Sequence, residues 1–263
     1  MMLAIDIGNT SIHVGCFSGR TLRRQFSLPT HMARSAGKLQ RRLRVKGAAE
    51  AIVCSVVPWA TTAVIRALRE IGIRPVVVGR GIRVPLVNRY HHPEQVCQDR
   101  LVGAYAAWCE FGDGALRKHP AGRSPERGRQ AESRDCIIVD IGTAITIDVV
   151  TKKGEYLGGV IAPGLGISLE ALATRTALLP KVELREPPEL LGRDTANSIR
   201  SGLLFGCVAL CDGLVTQLKR RYAPKAVVVA TGGGSALIAK HARTIDHLKP
   251  HLVLEGLYRI SLK

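Results

Sequence analysis

Two stretches of this sequence carry one plan. "MLAIDIGNTSIHVGCF" begins at Met2 and "CIIVDIGTAITIDVVT" at Cys136. Each reads as an apolar strand, an acidic-glycine turn and a second strand, with Met2 to Ile7 and Ser11 to Phe17 forming the first hairpin. Asp is depleted in strands and Gly weakens them, so Asp6, Gly8, Asp140 and Gly142 need a reason outside the sheet. A unit repeated at about half the length of a 263-residue chain predicts duplicated domains facing each other.

The turn chemistry supplies that reason. Glycine lets the backbone turn tightly and approach a ligand. Thr10, Thr143 and the neighbouring N–H groups could donate to phosphate oxygens, as in a backbone nest. A carboxylate beside phosphates repels them unless a cation lies between, so Asp6 and Asp140 imply Mg²⁺ or another metal. The plainer alternative is a pair of ordinary turns in which each Asp caps its own backbone. A third stretch, "VVVATGGGSALIAKHA", reads as strand, Gly-rich turn and Ser-started helix. That is either an anion-binding helix end that would contact the phosphates or ribose of a nucleotide, or a tight connection.

Between these landmarks strands and helices alternate, which predicts α/β layers. "AIVCSVVP" reads as a strand, "WATTAVIRALREIG" as a helix and "RPVVVG" as a strand. "DRLVGAYAAWCEFG" reads as a helix from about Asp99, followed by helices over 169–175 and 194–221 and the strands "AVVVATGG" and "HLVLE". The expected organisation is an N-terminal half over 1–111, a basic insertion over 112–135 and a C-terminal half over 136–263.

Hydrophobic residues make up 46% of the chain and aromatics 4%, so the core rests on Val, Ile, Leu and Ala. No apolar stretch is expected to approach the roughly 18 residues of a membrane span, and no basic leader precedes the first strand. A cytoplasmic protein is the expectation. The seven cysteines lie singly, with Cys207 and Cys211 on one helical face, and are expected to be buried free thiols rather than a zinc site. The net charge is +17, concentrated in Arg34–Lys46 and in Leu116–Arg134. The first stretch reads as a helix with a solvated basic face and the second as a mobile loop. Neither carries a nucleic-acid-binding motif, so nucleic acid is not the expected partner.

Taken in order, "DIGNT", "SVVP", "YHHPEQVCQDRL", "DIGTAITID", "GGVIAPG", "TALLPKV", "GRDTANSIRSGLLFG" and "ATGGG" resemble the type III pantothenate kinase family. That family lies within the actin, Hsp70 and sugar-kinase superfamily. The resemblance implies two duplicated actin-like ATPase domains of ribonuclease H-like fold around a central nucleotide cleft. It also implies ATP-dependent phosphorylation of pantothenate to 4′-phosphopantothenate, the first step of coenzyme A synthesis. Carried over by position, it makes Asp6, Ile7, Gly8, Asn9, Thr10, Ser11, Ile12 and His13 the first ATP segment, with Asp6 reaching Mg²⁺ through phosphate. Thr143 becomes a further ATP contact, and Asp140 the ligand of a monovalent cation, K⁺ or NH₄⁺. Asp99 becomes the base facing the pantothenate hydroxyl, and Tyr90, Cys97, Gln98, Asp99, Arg100 and Thr195 the acceptor pocket. A homodimer that completes this pocket at its interface is implied as well. From the residues alone, Asp99 reads equally as the N-cap of the helix that follows it.

The family has Gly-Ala before the Asp-Arg pair, where this chain has Cys97-Gln98. The alternatives to this reading are a catalytically silent nucleic-acid-binding regulator of the same family and a kinase for another small hydroxyl acceptor.

Overall fold

The computed structural model describes residues 1–113 and 133–263. The expected mobile basic loop falls largely outside the described residues. In chain order the elements are β1 (Met2–Ile7), β2 (Ser11–Ser18), β3 (Thr21–Pro29), α1 (Ala36–Leu43), β4 (Glu50–Ser55), α2 (Pro58–Glu70), β5 (Arg74–Val77), β6 (Val87–Asn88) and α3 (Gln98–Phe111). Then come β7 (Cys136–Ile141), β8 (Ala144–Val150), β9 (Glu155–Pro163), α4 (Leu165–Arg175), α5 (Thr195–Tyr222), β10 (Val227–Thr231), α6 (Ser235–Ala239), β11 (His247–Leu248) and α7 (Leu252–Ser261).

The chain divides into two compact units, one of Met1–Ala106 with His251–Lys263 and one of Ala107–Pro250. This differs from the expected halves at the C-terminus. "HLVLE" was expected as a strand of the second half. Instead, Leu252–Ser261 is a helix of the first unit, packed over β1, β2 and β4. Its buried residues Leu252, Leu254, Leu257 and Ile260 follow helical spacing, which a five-residue apolar run cannot reveal. Small residues on the sheet make room for it: a Cβ at Gly15 would lie 3.3 Å from Leu254 Cδ1.

Duplication is visible in the sheets. The first unit orders its strands β3-β2-β1-β4-β5, and the second β9-β8-β7-β10-β11, the same order at the same chain positions. In each, the hairpin strands are antiparallel and the next strand joins in parallel. Even the irregularities repeat, with register shifts at Cys16/Phe17 and at Val149/Val150. The second hairpin closes one residue sooner, since Ile7 pairs with Ile12 but Ile141 with Ile145.

Alternation sends Leu3, Ile5, Ile7, Ile12 and Val14 into a core with Leu39 and Leu43 of α1 and Val64 and Leu68 of α2. Ile137, Val139, Ile145 and Ile147 do the same against Leu204, Cys211 and Val215 of α5. Contrary to the sequence expectation, α5 is long and apolar enough to cross a membrane by length and composition. Its buried stripe is part of the second core, as in the central helix of a globular layer. The thiols also differ from expectation, because Cys97 is exposed and Cys109 half-buried while the other five are buried.

Candidate active site

The face of β1 opposite the core carries Ala4 and Asp6. Directly across from Asp6 stand His13 on β2 and Cys54 on β4, and across from His13 stands Ser27 on β3. A row Ser27–His13–Asp6–Cys54 therefore crosses the first sheet just below the hairpin tip. His13 Nδ1 and Ser27 Oγ are 2.8 Å apart. Burial, and after it the nearby His251, lower the pKa of His13, so its ring is neutral at pH 7.

The tip is braced by Ser11 and by the residue just after β3. Gly8 N donates to Ser11 O at 2.9 Å, while Thr30 donates from its backbone to Thr10 O and from Oγ1 to Gly8 O at 2.7 Å. Ile7 and Ile12, expected in the ATP segment, bury their side chains in the core, which leaves only their backbone for a ligand. Asn9 and Thr10 are exposed. The glycines need comment. Neither Gly8 nor Gly142 has a positive φ, and a Cβ at Gly142 would meet nothing closer than 3.7 Å. The protein's own packing does not require glycine at Gly142, whereas close approach of a ligand would.

Asp99 is the second residue of α3, which begins at Gln98, so it lies inside the helix and not at its N-cap as the alternative had it; its carboxylate accepts the adjacent Arg100 amide at 2.8 Å. Its charge reaches further. Burial holds the Cys54 thiol well above its usual range, and Asp6 and then Asp99 add to that shift. The carboxylates expected on the phosphate and acceptor sides thus act on one sulfur that is 0% exposed. The exposed Cys97 thiol is raised by burial and Asp99, with Arg100 opposing. Gln98 turns away to the 79–82 turn, where a Cβ on Gly79 would lie 3.0 Å from its Cδ. Half-buried Tyr90 donates its amide to Asn88 Oδ1 at 3.0 Å.

In the second unit Asp140 stands between Thr146 on β8 and Thr231 on β10. Two glycine turns close on its hairpin. A Cβ at Gly164, the residue before α4, would overlap the carbonyls of Gly142 and Thr143. One at Gly232, whose φ is +89°, would overlap Asp140 Oδ1. Gly234 N then donates to Ile141 O at 2.9 Å. The glycine-rich turn is thus fitted to the aspartate. Thr143 is exposed at the tip. Thr195 opens α5 beside its N-cap Asp194, whose carboxylate is held low chiefly by the Asn197 amide at 2.8 Å. It lines an apolar groove of about 310 Å³ with Leu172, Leu179, Ile199 and Leu203.

The first unit therefore sets His13 and Cys54 on either side of Asp6, with Asp99 in the first turn of α3, and the second gathers Asp140 and Thr143 at a glycine cradle. Sequence reasoning missed Cys54, Thr30 and the buried Asp148. No cluster of three or more His, Cys, Asp or Glu suited to a metal exists among the described residues. Asp6 and Asp140 each stand one ladder position below a hairpin tip, where a carboxylate could share a cation with phosphate oxygens.

A family model described as type III pantothenate kinase matches residues 2–116 and 127–217. Among proteins named type III pantothenate kinase, one from an Anaeromyxobacter species is 39% identical over 267 residues, covering 98% of this chain and 97% of its own. One from Moorella thermoacetica is 35% identical with the same coverage. A Campylobacter jejuni structure assigned to a Baf family of transcriptional activators aligns with a TM-score of 0.60 at 17% identity, covering 98% of this chain and 96% of that one. The PilM–PilN type IV pilus biogenesis complex aligns with a TM-score of 0.53 at 13% identity, covering 100% and 98%. At these identities the structures speak for the actin-like fold alone. With sequence likeness running through both hairpins and nearly every residue between them, this chain belongs to the type III pantothenate kinase family.

Proposed function

We propose that this chain transfers the γ-phosphoryl group of ATP to the primary hydroxyl of pantothenate, forming 4′-phosphopantothenate for coenzyme A synthesis. The observation that carries the reading is the family likeness over residues 2–116 and 127–217, which takes in both acidic hairpins and the Asp99–Arg100 pair. Phosphoryl transfer asks for alignment and charge compensation more than covalent help. The backbone N–H groups of Gly8 to Ser11 and of Gly142 to Thr143 would bind phosphate oxygens, with Thr10 and Thr143 hydroxyls adding donors. Mg²⁺ reached from Asp6 through phosphate, and K⁺ or NH₄⁺ at Asp140, would offset the charge of the transferred group. Asp99 would accept the hydrogen bond of the attacking hydroxyl and draw off its proton, and Arg100 would hold the acceptor's carboxylate. The place of Asp99 in the first turn of α3 sets its carboxylate at the positive end of the helix dipole.

Tyr90, Cys97 and Thr195 would line the acceptor pocket. A homodimer is part of this reading, supported by Leu178, Leu190 and Leu191, which are 91%, 69% and 69% exposed in the segment leading to Thr195. An enzyme of this kind would work in the cytoplasm.

Asp99→Asn tests the assignment, since it keeps size and an oxygen for the Arg100 amide but removes the charge. The variant should fold and bind ATP, while pantothenate-dependent ADP release falls by roughly 10²-fold or more. Turnover near that of the parent would remove Asp99 from the reaction.

A further inference from the structure

One buried carboxylate has no part in the reaction described above. Asp148 on β8 is 1% exposed, and Tyr156, 0% exposed, donates its hydroxyl to Asp148 Oδ1 at 2.7 Å. Thr146 Oγ1 donates to Asp148 Oδ2 at 3.2 Å. The surrounding strand is shaped to admit this carboxylate. Its partner across the ladder is Gly159, where a Cβ would strike Asp148 Oδ1 and the Ile147 carbonyl. The register shift at Val149/Val150, with Gly158 at φ +119°, sets Tyr156 opposite Val150 and so on the face that Asp148 occupies. Burying a carboxyl group is costly unless it is hydrogen-bonded, and here two donors meet that need while the glycine opposite leaves room.

One of the two donors, Thr146, stands directly across the ladder from Asp140. A threonine hydroxyl has a single hydrogen and two lone pairs. We propose that Asp148 is a positioning residue for the cation site at Asp140: by taking the Thr146 hydrogen, it leaves only lone pairs of Thr146 toward Asp140. A hydroxyl turned the other way would donate to the Asp140 carboxylate and compete with a cation for its oxygens. The first unit handles the equivalent place in a similar manner, because His13, the residue across from Asp6, is held from β3 by Ser27. The proposal rests on the reading of Asp140 as the ligand of K⁺ or NH₄⁺.

The test uses Asp148→Asn, Thr146→Val and the double variant, with KCl titrated at constant ionic strength against tetramethylammonium chloride. Two readouts are taken: the rise in thermal midpoint with KCl, with a non-hydrolysable ATP analogue present and no pantothenate, and the half-saturating KCl for phosphorylation. Asp148→Asn offers an amide donor to Thr146 and so turns its hydrogen toward Asp140. Half-saturating KCl should rise about tenfold, the low end for removing an outer-shell partner, and the thermal shift should shrink. With no hydroxyl left to turn, the double variant should match Thr146→Val alone. The proposal is overturned if Asp148→Asn lowers the midpoint without KCl yet keeps the parent's KCl dependence, or if the two substitutions simply add. If Asp148→Asn does not fold, Tyr156→Phe is the second variant: it removes the donor to Oδ1 but leaves Oδ2 to accept the Thr146 hydrogen, so it should lower the midpoint and keep the parent's KCl dependence, and a rise in half-saturating KCl there overturns the proposal too. A parent protein with no response to KCl or NH₄Cl in either readout would instead remove the Asp140 reading itself, and this proposal with it.

Discussion

The glycine cradle makes a quantitative prediction at Gly232. Its φ of +89° strains any residue with a Cβ, at roughly 1–2 kcal/mol. The added methyl would overlap Asp140 Oδ1 and lie 2.6 Å from Ile141 O, and backbone cannot swing aside as a flexible side-chain end can. Overpacking of this kind costs about 1–3 kcal/mol, so Gly232→Ala should lose about 2–5 kcal/mol in all. Gly233 is the internal control, since a Cβ there meets nothing within 4 Å and its φ is not positive. Gly233→Ala should be neutral or stabilise by up to about 1 kcal/mol through the unfolded chain. Urea unfolding can be read in the second unit alone, because Trp108 belongs to it and donates Nε1 to Lys152 O at 2.7 Å. A Trp59→Phe background silences the other tryptophan. Relief of the overlap would push the Asp140 carboxylate aside, so the KM for ATP should rise in Gly232→Ala and stay level in Gly233→Ala. Equal unfolding midpoints for the two variants, with equal KM, would refute the fit between turn and aspartate.

Reverting Cys97→Gly together with Gln98→Ala should lower the KM for pantothenate severalfold and leave the KM for ATP alone; a higher KM would show that the two side chains aid acceptor binding. Asp212 offers a pH test. Burial pushes its carboxyl up, but hydrogen bonds from Thr244 and the Arg243 amide outweigh this and hold it below the usual range. A folded pKa below the unfolded value near 3.9 gives stability that is present above about pH 4 and lost as pH falls through the folded pKa. Asp212→Asn should therefore unfold at lower urea than the parent at pH 7, with the gap closing toward pH 3; a gap constant over that range would refute the role of the ionised carboxylate.

The hairpins were legible because their information is local. A period of two, an acidic residue and a glycine turn recur at Asp6 and Asp140, and the register of both strands follows. β3 escaped notice because it is a polar edge, with only Leu28 of "TLRRQFSLP" fully buried. β9 went unread because its paired glycines and closing proline weaken a strand pattern. The site divides along the same line. Asp6, Asp99 and Asp140 stand in recognisable motifs. Cys54 matters only because β4 joins β1 in register, and Asp148 meets Tyr156 only through a one-residue bulge. Such lateral neighbours are set by strand pairing, which leaves no mark in the spacing of one strand.

The membership of α7 in the first unit bears on how the chain is made. β1, β2 and β4 leave the ribosome early, yet the helix that covers them is not synthesised until Leu252. At about 5–20 residues per second, the intervening stretch holds that sheet face open for on the order of ten seconds. During this interval Ile52, Ala4 and the glycine at 15 present a flat surface of the kind chaperones bind, while the second unit can finish folding first. Biogenesis would thus run opposite to chain order, with the first unit sealed last. Substitutions in the final helix, such as Leu257→Ala, would then affect yield in the cell more than their cost to the finished protein suggests.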